Sequence, residues 1–321
     1  MALKPLLYVS RLLPEPVMVA IRDRYELLRE PTDAQATVSQ LHEGLMQAEA
    51  AIVTLTDRID TRAIDKTTRL KILANYAVGY NNIDLTAAHR KGLVVTNTPD
   101  VLTDATADLT WALILATARR LLEGDRLVRN GQWTGWAPTQ LLGAAVAEQT
   151  LGIVGMGRIG QAVAQRAAGF RMKVLYYTHR PLHLQSLSAG WKRTTLSALL
   201  AQSDFVSMHV PLTSDTKHLI GASELLQMKR TAFLINTARG PIVDEAALVA
   251  ALKSRRIAGA ALDVYDQEPL PANHPLRGLD NVVITPHVGF VTEDAYRIYY
   301  RDTIEDVLAF LDGKPVRILE D

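Results

Sequence analysis

The sequence predicts an α/β protein built as two doubly wound parallel-sheet domains. Short β-rich apolar runs alternate with helical patterns along nearly the whole chain, as expected of parallel strands joined by crossover helices. The strand candidates fall into two series separated by a long helical stretch. The length, 321 residues, also exceeds what one hydrophobic core usually organises.

The first series comprises Leu6–Ser10, Ala51–Thr56, Lys71–Ala77 and Leu93–Thr96, with helical patterns such as Val38–Ala48 between them. The long helical stretch runs roughly over Thr103–Asn130. Asp104 and Asp108 lie near its start, where a carboxylate suits the positive end of the helix dipole. Leu109, Ala112, Leu113 and Ala116 recur at helical spacing. The second series is Leu151–Val154, Lys173–Thr178, Asp204–Val210, Ala232–Thr237, Ala258–Val264 and Asn281–Thr285, and Thr292–Leu311 reads as a closing helix.

Composition narrows the function classes. With 48% apolar and 21% charged residues, the chain has the apolar mass for sizeable cores. The formal net charge is +1 and no basic run stands out, so nucleic acid is not an expected partner. The absence of cysteine excludes a disulfide framework, a thiolate metal site and a cysteine nucleophile, and suits a reducing cytosol. Met1–Arg11 lacks the apolar core of a signal peptide, and no stretch has the roughly 20 apolar residues of a membrane span. The expectation is a soluble, cytoplasmic protein with no membrane partner.

The strongest local signal is Gly155-Met156-Gly157-Arg158-Ile159-Gly160. An apolar strand precedes it, an amphipathic helix over Gln161–Gly169 follows, and Lys173–Thr178 completes a βαβ unit. Gly155 permits the tight turn, Gly157 lets the backbone approach a pyrophosphate, and Gly160 lets helix and strand pack closely. The helix start then offers amide donors to phosphate. A carboxylate at the end of the second strand would bind the adenine ribose diol and repel a 2′-phosphate. This chain has Tyr177-Thr178-His179-Arg180-Pro181 there, and a hydroxyl with a guanidinium suits a 2′-phosphate. NADP(H) is therefore expected to be preferred, with NAD(H) possible.

Three polar residues sit at the ends of later strands, where open α/β sheets bind ligands: Arg239, Glu268 and His287. Spacing alone does not show that they converge. If they do, Arg239 would clamp a carboxylate, His287 would exchange a proton with a carbonyl oxygen, and Glu268 would orient the imidazole and favour its charged form.

Taken together, these motifs resemble the D-2-hydroxyacid dehydrogenase family, most closely its glyoxylate/hydroxypyruvate reductases. The likeness runs through Tyr76–Asp84, Asn97–Asp108, the glycine loop, Ile235–Glu245, Gly259–Pro271 and Pro286–Gly289. It implies a flavodoxin-like substrate domain of residues 1–99 plus 288–321 and a Rossmann nucleotide domain of residues 100–287. It also implies Arg239, Glu268 and His287 as the catalytic trio, reducing a small 2-keto acid to the D-2-hydroxy acid. The substrate would further meet Leu55, the Val78 and Gly79 amides, Phe290 and, from a partner subunit, Trp136. Implied cofactor contacts, besides the glycine loop with Arg158 and Ile159, are Thr103, Thr178, His179, Arg180, Val210, Pro211, Thr216, Thr237, Ala238, Asp263 (to the carboxamide) and Gly289. The helix beginning near Thr103 would form the arm of a homodimer.

One departure bears on substrate range. The family commonly shows P-H-I-G-S-A-T after the last strand, where this chain has Pro286-His287-Val288-Gly289-Phe290-Val291-Thr292. Phe290 in place of a small hydroxyl is expected to disfavour the hydroxymethyl tail of hydroxypyruvate relative to glyoxylate or an apolar keto acid. Among rival readings, formate dehydrogenases carry Gln where Glu268 stands, whereas phosphite dehydrogenases keep the trio. Nucleotide-sensing corepressors of the C-terminal-binding-protein type share the fold, as a non-enzymatic alternative. The eight histidines include no H-E-x-x-H pair, and no metal is expected.

Overall fold

A computed structural model describes residues 3–99, 102–179 and 190–319. The chain forms two compact units, Met1–Leu102 with Val291–Asp321, and Thr103–Phe290. The boundaries expected from the sequence, about 99/100 and 287/288, lie within three residues of these. The turn at 288–289 is tied to the second unit through Asp263.

The first unit runs β1 (Leu6–Val9), α1 (Glu15–Arg24), β2 (Glu26–Leu27), α2 (Val38–Gln47), β3 (Ala50–Thr54), α3 (Thr61–Asp65), β4 (Ile72–Tyr76), α4 (Leu85–Arg90) and β5 (Val94–Thr96). The strands pair in parallel in the order β2-β1-β3-β4-β5. Alternate side chains leave opposite faces, so both faces need cover. Tyr8, Ala51 and Val53 pack with Leu41 and Leu45 of α2, Ile64 of α3 and Ala88 of α4. Leu7, Val9 and Ile52 pack on the other face with Val17, Met18 and Ile21 of α1. Helix starts are set locally: Thr37 and Gln40 form a capping box on α2, and Asp60 and Asp84 accept from the Ala63 and Ala87 amides.

The second unit runs α5 (Thr103–Ala118), α6 (Leu121–Arg129), β6 (Thr150–Val154), α7 (Arg158–Arg166), β7 (Lys173–Tyr177), β8 (Lys192–Arg193), α8 (Leu196–Gln202), β9 (Phe205–Met208), α9 (Ala222–Gln227), β10 (Phe233–Asn236), α10 (Glu245–Lys253), β11 (Gly259–Leu262) and β12 (Val282–Ile284). The final helix, α11 (Glu293–Leu311), returns to the first unit, where its Val307 joins the α1 face. The second sheet has seven strands among the described residues, all parallel, in the order β12-β11-β10-β9-β6-β7-β8. The order reverses between β6 and β9, the switch point at which such sheets bind ligands. Ile153 faces Trp111 and Ile114 of α5, while Val154 faces Leu199, Leu225 and Leu252 of the helices opposite.

The expected single helix over Thr103–Asn130 is instead two. Arg120 adopts φ 53°, a left-handed conformation that ends α5. The Ala118 carbonyl accepts from the Ala144 amide at 2.8 Å, so a distant loop supplies the bond that a continuing helix would have made. The helix after the glycine loop begins at Arg158 rather than Gln161 and ends at Arg166, passing into a 3₁₀ turn over Ala167–Phe170. The two-residue edge strands β2 and β8 were too short and polar to register as apolar runs.

Candidate active site

At the switch point, β6 passes through the glycine loop into α7. Gly155 has φ 99°, and a Cβ there would lie 2.6 Å from the His209 carbonyl, so only glycine fits. Gly157 begins α7 with no side-chain cap, and a Cβ on it would meet nothing within 4 Å. Amides at the positive end of a helix and open space above the turn fit a pyrophosphate. Arg158 and Ile159 occupy the first turn of α7, and Gly160 is buried beneath it.

Val210 and Pro211 follow β9 at the same edge. The Thr216 hydroxyl donates to the Pro211 carbonyl at 2.6 Å and accepts from the Thr213 amide at 2.8 Å, bracing its own turn. Burial pushes the His209 imidazole down to about 3, leaving it neutral 2.8 Å from the Ser207 hydroxyl. At the end of β7, Thr178 is half-buried and exposed His179 lies 3.1 Å from the Tyr177 hydroxyl. Arg180 lies outside the described residues. Sequence reading missed a second guanidinium here: Arg193 of β8 donates to the Thr178 carbonyl at 3.1 Å. Its signal, a basic residue in a two-residue edge strand, surfaces only once β8 is seen beside β7.

The polar trio is carried on the turns after β10, β11 and β12. Asn236 shapes the first, accepting from the Ala238 amide at 3.0 Å and donating to the Arg239 carbonyl at 2.9 Å. Thr237 lies 2.9 Å from the Thr110 hydroxyl of α5, whose first residue is Thr103. Arg239 is half-buried, and its Nη1 donates to the Ala238 carbonyl at 2.7 Å. Gly240 then passes so close to the next turn that a Cβ would sit 2.0 Å from the Tyr265 carbonyl carbon.

His287 and Glu268, 19 residues apart, meet: Nδ1 lies 2.6 Å from Oε2. The other Glu268 oxygen, Oε1, accepts from the Tyr265 amide at 3.0 Å. Burial pushes the Glu268 carboxyl up, but the His287 hydrogen bond and charge, the Tyr265 amide and the Arg239 guanidinium together hold it below the ordinary glutamate value. The Arg239 charge is the smallest of these influences on Glu268. With Nδ1 committed to Glu268, Nε2 is the imidazole nitrogen not engaged by that pair. Phe290 stands edge-on to the His287 ring, centroids 6.2 Å apart.

Asp263 is buried, and both its oxygens face the His287 turn. Oδ1 accepts from the Thr285 hydroxyl at 2.5 Å and the Val288 amide at 2.9 Å, and Oδ2 accepts from the Gly289 amide at 2.8 Å. The expected carboxamide contact would share a carboxylate already used to hold the turn.

In the first unit, Leu55 follows β3 and the Val78–Gly79 turn follows β4. Asn97 and Asn75 donate to the Val78 and Gly79 carbonyls at 2.8 and 2.9 Å. Trp136 lies past α6 and is 83% exposed. The described residues contain no group of three or more His, Cys, Asp or Glu arranged to hold a metal, and no helix long and apolar enough to cross a membrane.

A glycine turn at the switch point of a parallel sheet is the nucleotide-binding arrangement of a Rossmann-type domain. Residues 111–289 match the family model described as D-isomer specific 2-hydroxyacid dehydrogenase, NAD binding domain. A glyoxylate reductase of Korarchaeum cryptofilum (strain OPF8) is 45% identical over 313 residues, covering 97% of this chain and 94% of that protein. A Thermus thermophilus protein of known structure superimposes with TM-score 0.92 at 43% identity, covering 98% of this chain and 100% of that one. The NADPH-dependent glyoxylate/hydroxypyruvate reductase of Sinorhizobium meliloti, solved with NADP and malonate, superimposes with TM-score 0.85 at 30% identity, covering 98% and 97%. The chain belongs to the D-isomer specific 2-hydroxyacid dehydrogenase family.

Proposed function

We propose that the protein reduces a small 2-keto acid, of the glyoxylate or hydroxypyruvate type, to its D-2-hydroxy acid. The observation that carries this reading is the 2.6 Å contact between His287 Nδ1 and Glu268 Oε2, with the Arg239 charge acting on the same carboxylate. When bound, with its pyrophosphate at the Gly155–Gly160 turn, a reduced nicotinamide would be the source of the hydride for the keto carbon. Arg239 pairs with the substrate carboxylate, the contact for which a planar two-pronged donor is suited. Val78 and Gly79 are the proposed amide donors to that carboxylate. His287 delivers a proton from Nε2 to the developing alkoxide, and Glu268 holds the ring through Nδ1. The residue range 103–290 serves as nucleotide domain and the rest as substrate domain.

NADP(H) is the proposed cofactor, with NAD(H) as the weaker alternative. The Sinorhizobium relative, named NADPH-dependent, and the guanidinium of Arg193 at the acid-free end of β7 support this. Phe290, edge-on to the His287 ring, supports a preference for glyoxylate over hydroxypyruvate. We also propose a homodimer joined through α5 and the arm that follows it, with Trp136 reaching the partner's substrate. The support is that α6 buries none of its residues and that Leu121, Val128, Trp133 and Trp136 are all exposed.

A spectrophotometric panel tests the reading. Glyoxylate, hydroxypyruvate, pyruvate and, in the oxidising direction, phosphite are each assayed with both nicotinamide cofactors. Turnover best with glyoxylate and NADPH is expected. Turnover of phosphite alone, or of no substrate, sinks the reading.

A further inference from the structure

The three reactive side chains hang on separate turns, and one residue touches all three turns. Tyr265, just past β11, gives its backbone amide to Glu268 Oε1 at 3.0 Å. Its backbone carbonyl is the surface on which Gly240, next to Arg239, is packed too closely for any Cβ. Its phenol is buried, and the hydroxyl lies 2.7 Å from the Thr285 carbonyl and 3.2 Å from that of Leu262. A phenol has one proton to donate, and the shorter contact, to Thr285, takes it.

Thr285 is two residues before His287, whose φ of 56° is left-handed. A non-glycine residue keeps that conformation when its surroundings hold the chain on both sides. Downstream, the Asp263 carboxylate holds the Val288 and Gly289 amides. Upstream, the Tyr265 hydroxyl holds the Thr285 carbonyl, beside the Asp263 carboxylate on the Thr285 hydroxyl and the Leu262 carbonyl on its amide. We infer that Tyr265 is a positioning residue of the site, its hydroxyl bracing, beside Asp263, the turn that aims the His287 imidazole while its backbone sets Glu268 and the Arg239 turn. The inference rests on the reading of His287 as proton donor. Tyr265 itself acts only through its neighbours.

The test is Tyr265→Phe in the full-length protein, which keeps the ring and removes only the hydroxyl, run beside His287→Gln. With saturating glyoxylate and NADPH, kcat of Y265F is expected to fall about tenfold, as for one hydrogen bond lost from a reacting assembly. KM for glyoxylate should change less than about twofold, because Arg239 does not depend on the phenol hydroxyl. The solvent deuterium isotope effect on kcat should rise, since a mis-aimed imidazole makes proton delivery slower relative to other steps. A purely structural hydroxyl would lower the melting temperature and leave the isotope effect where it was. If H287Q is slow and folded Y265F matches the wild type in kcat and isotope effect, the Tyr265 inference fails alone. If H287Q turns over normally, the proton-donor reading fails and takes this inference with it. A Y265F chain that does not fold also overturns it, because the hydroxyl would then be a folding determinant.

Discussion

The carboxyl edge of the seven-stranded sheet is built by two different means. At its β6–β7 end the chain works with backbone: a positive-φ glycine, a helix start without a side-chain cap, and room where Gly157 lacks a Cβ. At its β10–β12 end it works with side chains, three of them on separate turns stitched together by Asn236, Asp263 and Tyr265. The contrast teaches that one end of a sheet can hold a ligand through the geometry of a single local turn. The polar trio, in contrast, is assembled from distant parts of the chain, each turn with its own bracing.

If the two ends are separable in this way, substitutions should separate them. The largest effect is expected from His287→Gln, which should lower kcat with a keto acid by about 10²–10⁴-fold. Its nicotinamide affinity, read by quenching of tryptophan fluorescence, should stay near the wild-type value; a joint loss would break the comparison. Gly155→Ala should do the reverse. It forces a Cβ onto the His209 carbonyl at a backbone angle that alanine resists, and cofactor affinity should weaken about 10–100-fold. Full affinity in that variant, by the same titration, would mean that the turn has an alternative conformation.

A smaller effect sharpens the picture of the backbone end. Arg193→Glu places a carboxylate beside the Thr178 carbonyl and should lower kcat/KM with NADPH about tenfold while sparing NADH. An equal loss with both cofactors would remove Arg193 from 2′-phosphate recognition. The smallest effect is a pH dependence at the side-chain end. The fold holds Glu268 below its ordinary value of 4.5, so the ionised carboxylate adds stability above that pH, and the increment is lost as pH falls below it. Glu268→Gln should therefore flatten the fall in melting temperature between about pH 5 and 3. A variant with an unchanged acid limb would show that the pair contributes nothing to stability.

The glycine loop was readable residue by residue because its demands are local: each glycine answers to a turn, a close approach or a packing contact within a few positions. The strand series were equally readable, since parallel strands buried on both faces must be short apolar runs. The break between α5 and α6 was not, because the group that ends α5, the Ala144 amide, comes from far along the chain. Arg239, Glu268 and His287 were readable as candidates by their place after strands, but their meeting was not.

The residue sequence alone determined the class of fold, the place of the glycine turn and which polar residues stood at strand ends. These follow from periodicity and from the stereochemistry of glycine, which act over a few neighbouring residues. Tertiary structure alone decided that Glu268 touches His287, that Arg193 stands beside Thr178 and that Tyr265 braces three turns. Those contacts depend on which strands lie side by side, and strand order comes from burying both faces of a sheet under helices, a condition that the whole domain satisfies at once.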